Sequence, residues 1–169
     1  FTIYPGSEYQ YDMIEEFKEI SMEASEYGLP SVLWSYPRGP NISKEGESSL
    51  DIVCYAAHIA ALLGAHIIKV KPPTSNIEQA EIKDLYDKEK VNINNLVDRI
   101  AHVKKCAFNS KRIVVFSGGN AKDYQSILDE IKQIRDGGGN GSIIGRNTFQ
   151  RPRGDAIVML EKIISIYAN

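Results

Sequence analysis

Short apolar runs alternate along this chain with longer stretches whose apolar residues recur every three or four positions. The first pattern fits a buried strand and the second fits one face of a helix. Phe1 to Tyr4 is a β-rich run closed by Pro5-Gly6. Ser7 offers a cap for a helix with the apolar face Met13, Phe17, Ile20, Ala24 and Tyr27, and Gly28-Leu29-Pro30 stops it. Ser31 to Tyr36 reads as the next strand. Ser48 followed by Asp51 has the form of a capping box, and Ile52, Ala56, Ile59 or Ala60, and Leu63 mark an alanine-rich helix ended by Gly64. Ala65 to Val70 is too short for a helix and is stopped by Pro72-Pro73, as a buried parallel strand would be. Ser75 to Lys90 is a charged, partly helical excursion, and Asn92 to Cys106 is a helix with Leu96, Ile100 and Val103 inward. Arg112 to Phe116 is a β-branched strand leading into Ser117-Gly118-Gly119. Ala121 to Arg135 is a helix with the stripe Ile127, Leu128, Ile131 and Ile134. A glycine-rich connection, 137–141, precedes a last strand, Ser142 to Ile144, and a final helix, Arg153 to Tyr167, that buries Ile157, Leu160, Ile164 and Tyr167.

Strand and helix alternate throughout without a hairpin signal, which predicts a parallel α/β architecture. No short repeat or low-complexity linker divides the chain, and its 169 residues suffice for one core. With 43% hydrophobic and 25% charged residues the composition is that of a globular protein. A net charge of −2 gives no electrostatic footprint for nucleic acid or an acidic membrane. Cys54 and Cys106 show neither CxxC nor His/Cys ligand spacing, which argues for a reducing compartment and against a disulfide or zinc framework. No run reaches the length of a membrane span, so a cytoplasmic protein is expected. The chain opens at Phe1, already inside a strand, and is expected to be a piece of something longer.

In parallel α/β folds ligands sit at the carboxyl ends of the strands. Here those ends hold Trp34/Tyr36/Arg38, Lys69/Lys71, Ser117/Gly118/Gly119 and Gly145/Arg146. Lys69 and Lys71 lie two residues apart and share a strand face, where mutual repulsion and lost hydration would both lower a lysine pKa. A neutral amine there can attack a carbonyl to form a Schiff base; the alternative is two snorkelling, solvated lysines. Glycines after the last two strands leave backbone N–H groups free for an anion, and Arg146 adds a planar charged fork suited to phosphate. The same residues also fit tight turns and a surface ion pair. The Tyr36 hydroxyl, beside Arg38, is a candidate proton donor or acceptor, or else an interfacial aromatic. His58 and His102 fall in helical patterns and His66 faces away from Lys69, so no histidine receives a catalytic role. No carboxylate pair has metal-binding spacing.

Together, Trp34-Ser35-Tyr36-Pro37-Arg38-Gly39, Gly64 to Lys71, Ser117-Gly118-Gly119 and Ile144-Gly145-Arg146-Asn147 resemble, in order and separation, the bacterial and archaeal class I fructose-bisphosphate aldolases related to deoxyribose-phosphate aldolase. The resemblance spans nearly the whole chain. It implies a (β/α)8 TIM barrel of which residues 1–169 supply roughly the C-terminal half, from the end of strand 4 to helix 8, as part of a single domain. It implies Lys69 as the imine-forming residue, Tyr36 as the acid/base, and Trp34 as a wall of the sugar site. Arg38 and Lys71 become substrate-binding residues, and Ser117, Gly118, Gly119, Gly145 and Arg146 a phosphate site. The implied reaction is metal-independent cleavage of fructose 1,6-bisphosphate into dihydroxyacetone phosphate and glyceraldehyde 3-phosphate, with no cofactor beyond the covalent imine. The implied partners are a phosphosugar substrate, the N-terminal half of the barrel and further copies in a homo-oligomer. Two features depart from the family pattern: its first-strand aspartate has no counterpart here, and Pro72-Pro73 with the long segment behind it alters the loop over the amine. Competing readings are another imine-forming aldolase, of deoxyribose-phosphate or aminodeoxyheptulosonate type, or a non-catalytic phosphosugar-binding module of flavodoxin-like form.

Overall fold

The computed structural model describes residues 1–117 and 123–168. In chain order these form β1 (Thr2–Ile3), α1 (Gln10–Glu26), β2 (Val32–Ser35), α2 (Leu50–Leu62), β3 (Ile67–Val70), α3 (Ala80–Lys88), α4 (Leu96–Cys106), β4 (Ile113–Phe116), α5 (Tyr124–Asp136), β5 (Gly141–Ser142), α6 (Arg146–Phe149) and α7 (Arg153–Ala168). The five strands are parallel and lie in the order β1-β2-β3-β4-β5. That consecutive order separates an arc of a (β/α) barrel from the flavodoxin-like alternative, whose strand order reverses at a switch point.

Right-handed crossovers between consecutively ordered strands put the helices on one face of the sheet. The burial pattern agrees: Leu33, Ser35, Ile68, Val70, Val114 and Phe116 are wholly buried, and the apolar ones join Val53, Ala57, Ala60, Ile100 and Val103 of α2 and α4 in the main core. Residues of the opposite face, Val32, Trp34, Ile67 and Val115, are only partly covered, and Ile113 in an interior strand is 46% exposed. A second, smaller cluster joins Ile127 and Ile131 of α5 to Met159 and Ile163 of α7.

Several sequence expectations are corrected. Tyr27 lies just past α1; it and Ile20 are exposed, while Phe17 is buried. Ser7 does not cap α1; its Oγ accepts the Tyr9 N–H in a local turn. Ser48 and Asp51 form no capping box, since α2 starts at Leu50 with Ser49 before it. The Asp51 carboxylate instead accepts the N–H groups of Glu78 and Gln79, capping the start of α3 across the gap between elements. The last strand is shorter and earlier than expected, at Gly141–Ser142. On α7 the expected stripe of Ile157, Leu160 and Ile164 is exposed, whereas Met159 and Ile163 are buried and Tyr167 donates or accepts a 2.7 Å bond with Ser142 Oγ. Both faces of α7 are apolar, so periodicity alone did not choose between them.

The central strand carries the helical layer, and this predicts a stability effect. Ile68→Ala, at a wholly buried position of β3, should cost about 2–5 kcal/mol by the usual cavity and transfer terms, read as a lower midpoint in urea unfolding.

Candidate active site

The strand register places the candidate residues. Trp34 of β2 pairs with Lys69 of β3, which pairs with Val115 of β4, so all three stand in one row on the sheet face away from the helices. Lys69 is 9% exposed, and its Nζ lies 4.9 Å from the Trp34 ring centroid and 5.5 Å from that of Tyr36. Among the described residues no carboxylate or hydrogen-bond acceptor pairs with this amine. Its nearest company is two aromatic faces, which attract a cation weakly and exclude water. The Tyr36 hydroxyl lies 3.4 Å from Ser117 Oγ across the end of β4, and Ser117 is itself buried.

Lys71 follows a different course. Its Nζ donates to Glu47 Oε2 at 3.0 Å, and Lys44 donates to the other Glu47 oxygen at 3.0 Å. The expected confrontation of two unpaired ammonium groups is thereby corrected, because one of them is neutralised by Glu47. Burial would push the Glu47 carboxyl up, but the hydrogen bonds from Lys44 and Lys71 outweigh it and hold the group below its ordinary value.

A cleft of about 730 Å³ is lined by Arg38, Lys44, Lys71, Arg99 and Arg146, with Glu47 and Glu130; Lys71 borders it, whereas Lys69, Trp34 and Tyr36 are not part of its lining. Five cationic side chains against two carboxylates favour an anionic ligand. A smaller recess of about 80 Å³ brings Ser117, Gly145 and Arg146 together at the ends of β4 and β5, so Arg146 borders both spaces. Gly118 and Gly119 lie outside the described residues. Arg38 is exposed, with its guanidinium 5.1 Å from the Tyr4 ring centroid. Next to it, a Cβ on Gly39 would stand 1.8 Å from the Gly6 carbonyl oxygen, so the loops after β1 and β2 touch only because both positions lack side chains.

Arg99 escaped the sequence reading. Its Nε donates to the Pro73 carbonyl at 2.9 Å and its Nη1 to that of Ile93 at 2.7 Å, which ties α4 to the loop that follows β3. His66 turns its Nδ1 to Ser31 on the strand's far side, and His58 bonds the Cys106 carbonyl, so neither joins the site.

Comparison with known proteins gives concordant results. A family described as DeoC/LacD family aldolase matches residues 1–151. A fructose-bisphosphate aldolase/6-deoxy-5-ketofructose 1-phosphate synthase of Methanocaldococcus jannaschii is 34% identical over 167 residues, which is 98% of this chain and 47% of that protein. A class 1 fructose-bisphosphate aldolase of Halobacterium salinarum is 34% identical over 151 residues, 89% of this chain and 48% of its own. Among solved structures, an archaeal fructose 1,6-bisphosphate aldolase superposes with a TM-score of 0.78 at 31% identity, over 99% of this chain and 57% of that one. A second archaeal fructose-1,6-bisphosphate aldolase, whose catalytic Lys is bound to the carbinolamine intermediate of the substrate, matches with a TM-score of 0.78 at 30% identity, over 99% of this chain and 57% of its own. The chain thus spans about half the length of the curated relatives it matches.

The Glu47 ion pairs predict an acid limb in stability. A carboxyl held below its unfolded value stabilises the fold above the ordinary glutamate pKa of about 4.3, and this contribution is lost as pH falls through the lower folded value. Glu47→Gln should flatten that limb in unfolding measured across acid pH while leaving the neutral side of the profile parallel to the parent.

Proposed function

Because the chain belongs to the DeoC/LacD family of aldolases, we propose that it contributes the imine-forming site of a class I aldolase that reversibly cleaves fructose 1,6-bisphosphate into dihydroxyacetone phosphate and glyceraldehyde 3-phosphate. The observation that carries this reading is the Lys69 amine, 9% exposed and resting against Trp34 and Tyr36 with no acidic partner among the described residues, two residues before Lys71 on the lining of a cationic cleft. In this reading the chain is roughly the C-terminal half of one (β/α)8 domain, from the end of strand 4 to helix 8, and the remaining strands close the barrel over the uncovered sheet face. In this reading the enzyme works in the cytoplasm as a homo-oligomer, the assembly that the family resemblance implies.

An amine attacks only through its free electron pair, so Lys69 gives up a proton and then attacks the substrate ketone, and loss of water from the carbinolamine gives a protonated imine. That cation accepts the electron pair of the C3–C4 bond as it breaks, while Tyr36 takes the proton of the C4 hydroxyl. Glyceraldehyde 3-phosphate leaves. The enamine is protonated at C3, and water then hydrolyses the imine to release dihydroxyacetone phosphate and the free amine. The iminium does the polarising, so no metal is called for. Ser117, Gly145 and Arg146, with Gly118 and Gly119 beyond the described residues, hold one phosphate. Lys71, Arg38 and Arg99 border the cleft that would take the other end of the substrate. Fixing the ketone over the amine in this way converts an encounter into an intramolecular step. The name of the Methanocaldococcus jannaschii relative includes a second synthase activity, so a panel of ketose and aldehyde phosphates would define which substrate the site prefers.

Borohydride reduction with dihydroxyacetone phosphate present should leave a covalent adduct on the peptide containing Lys69. An adduct on Lys71 would reassign the nucleophile, and phosphosugar binding without any adduct would favour a non-catalytic module. Tyr36→Phe should lower the cleavage rate by about 10²–10⁴-fold while imine trapping persists. Unchanged turnover would remove Tyr36 from the reaction.

A further inference from the structure

One gathering of ligating side chains among the described residues lies outside this site. Cys54 of α2 and His102 and Cys106 of α4 bring two Sγ atoms and a ring nitrogen within 4.8 Å of one another. His102 and Cys106 are four residues apart on one helix, so they share a face, and that spacing was legible in the sequence. The expectation that the cysteines have no His/Cys ligand spacing is corrected here. Only the third member, Cys54, comes from a distant part of the chain. Tyr86 of α3 closes the group: its hydroxyl lies 2.9 Å from His102 Nε2, and the two rings meet edge to face with centroids 5.0 Å apart. Cys54 is buried, with Cys106 and Tyr86 packed on the main core.

From this geometry we propose that Cys54, His102 and Cys106 form a site for one zinc ion, with the fourth position open to Tyr86 or water. A tetrahedral Cys2His site with bond lengths of about 2.0–2.3 Å needs donor atoms about 3.6–3.8 Å apart, so a small inward movement from the present spacing closes it. Two thiolates select a soft or borderline cation and exclude magnesium and calcium. The helices lie on the opposite sheet face from Lys69, so the ion takes no part in the aldol chemistry. It would fasten α2 to α4 and, through Tyr86, hold down α3, the segment that follows the Pro72-Pro73 loop.

The test uses the reduced protein after chelator treatment, titrated with cobalt(II) as a spectroscopic stand-in for zinc. Expected are one equivalent of bound cobalt, a thiolate-to-cobalt charge-transfer band, displacement of the cobalt by zinc, and zinc protection of both cysteines from alkylation. Cys106→Ser should lose the band with its far-UV circular dichroism intact. If that variant does not fold, alkylation protection in the parent protein decides. Absence of the band, or equal alkylation of both cysteines with and without zinc, would overturn the proposal. So would closure of Cys54 and Cys106 to a disulfide in a protein that, once reduced, retains no metal.

Discussion

The register between β2, β3 and β4 is the constraint on which the chemistry depends. Trp34, Lys69 and Val115 share a row because Leu33, Ile68 and Val114 are locked into the helical layer on the other side. Side chains alternate faces with a period of two, so a slip of one residue would bury the amine among α2 and α4 and turn Ile68 outward. Burying an unpaired ammonium in that layer would cost far more than any alternative packing returns. The apolar residues facing the helices thus determine where the reactive amine stands.

On that face the charges are sorted by their partners. Glu47 takes Lys71 and Lys44, and two backbone carbonyls take Arg99, while Lys69 is left with aromatic rings. A carboxylate beside Lys69 would hold the amine in an ion pair, whereas the two ring faces leave its nitrogen without a hydrogen-bond acceptor among the described residues. The carboxylate of Glu47, from the segment before α2, meets Lys71 instead, two residues further along, where Lys71 borders the cleft. Anion binding and amine chemistry are kept on neighbouring but distinct residues, which allows a cationic cleft to attract phosphate while the amine itself has no counter-ion among the described residues.

The strand ends were legible because their composition is unusual: two lysines before two prolines, an aromatic pair before an arginine, and glycines behind a β-branched run. Their faces followed from strand alternation. Arg99 was hidden because a helix position says nothing about which carbonyl a long side chain will reach. Asp51 was misread because a capping box and a cross-element cap begin with the same residue type at the same place. Exposed Ile20 and Tyr27 show the limit of periodicity, which identifies an apolar face but not how far the neighbouring element extends along it. For Cys54, contact with His102 and Cys106 depends on how α2 and α4 pack and leaves no local trace.

Three features of the fold share one explanation in the half-barrel reading. The sheet face bearing the amine is only partly covered, and Ile113 is left exposed in an interior strand. The edge strands β1 and β5 carry unpaired backbone groups along one side. The outer stripe of α7, with Ile157, Leu160 and Ile164, is as apolar as the stripe it buries. In a closed barrel the inward face packs against inward residues of the remaining strands, the two edges each gain a neighbour, and the last helix lies between two others. An open doubly wound sheet would cover the amine's face with helices and leave both edges without a neighbour, and its strand order reverses where this one runs consecutively. Closing the barrel would also surround Lys69 with further strand ends, so the same polypeptide that completes the core would complete the walls of the reaction site.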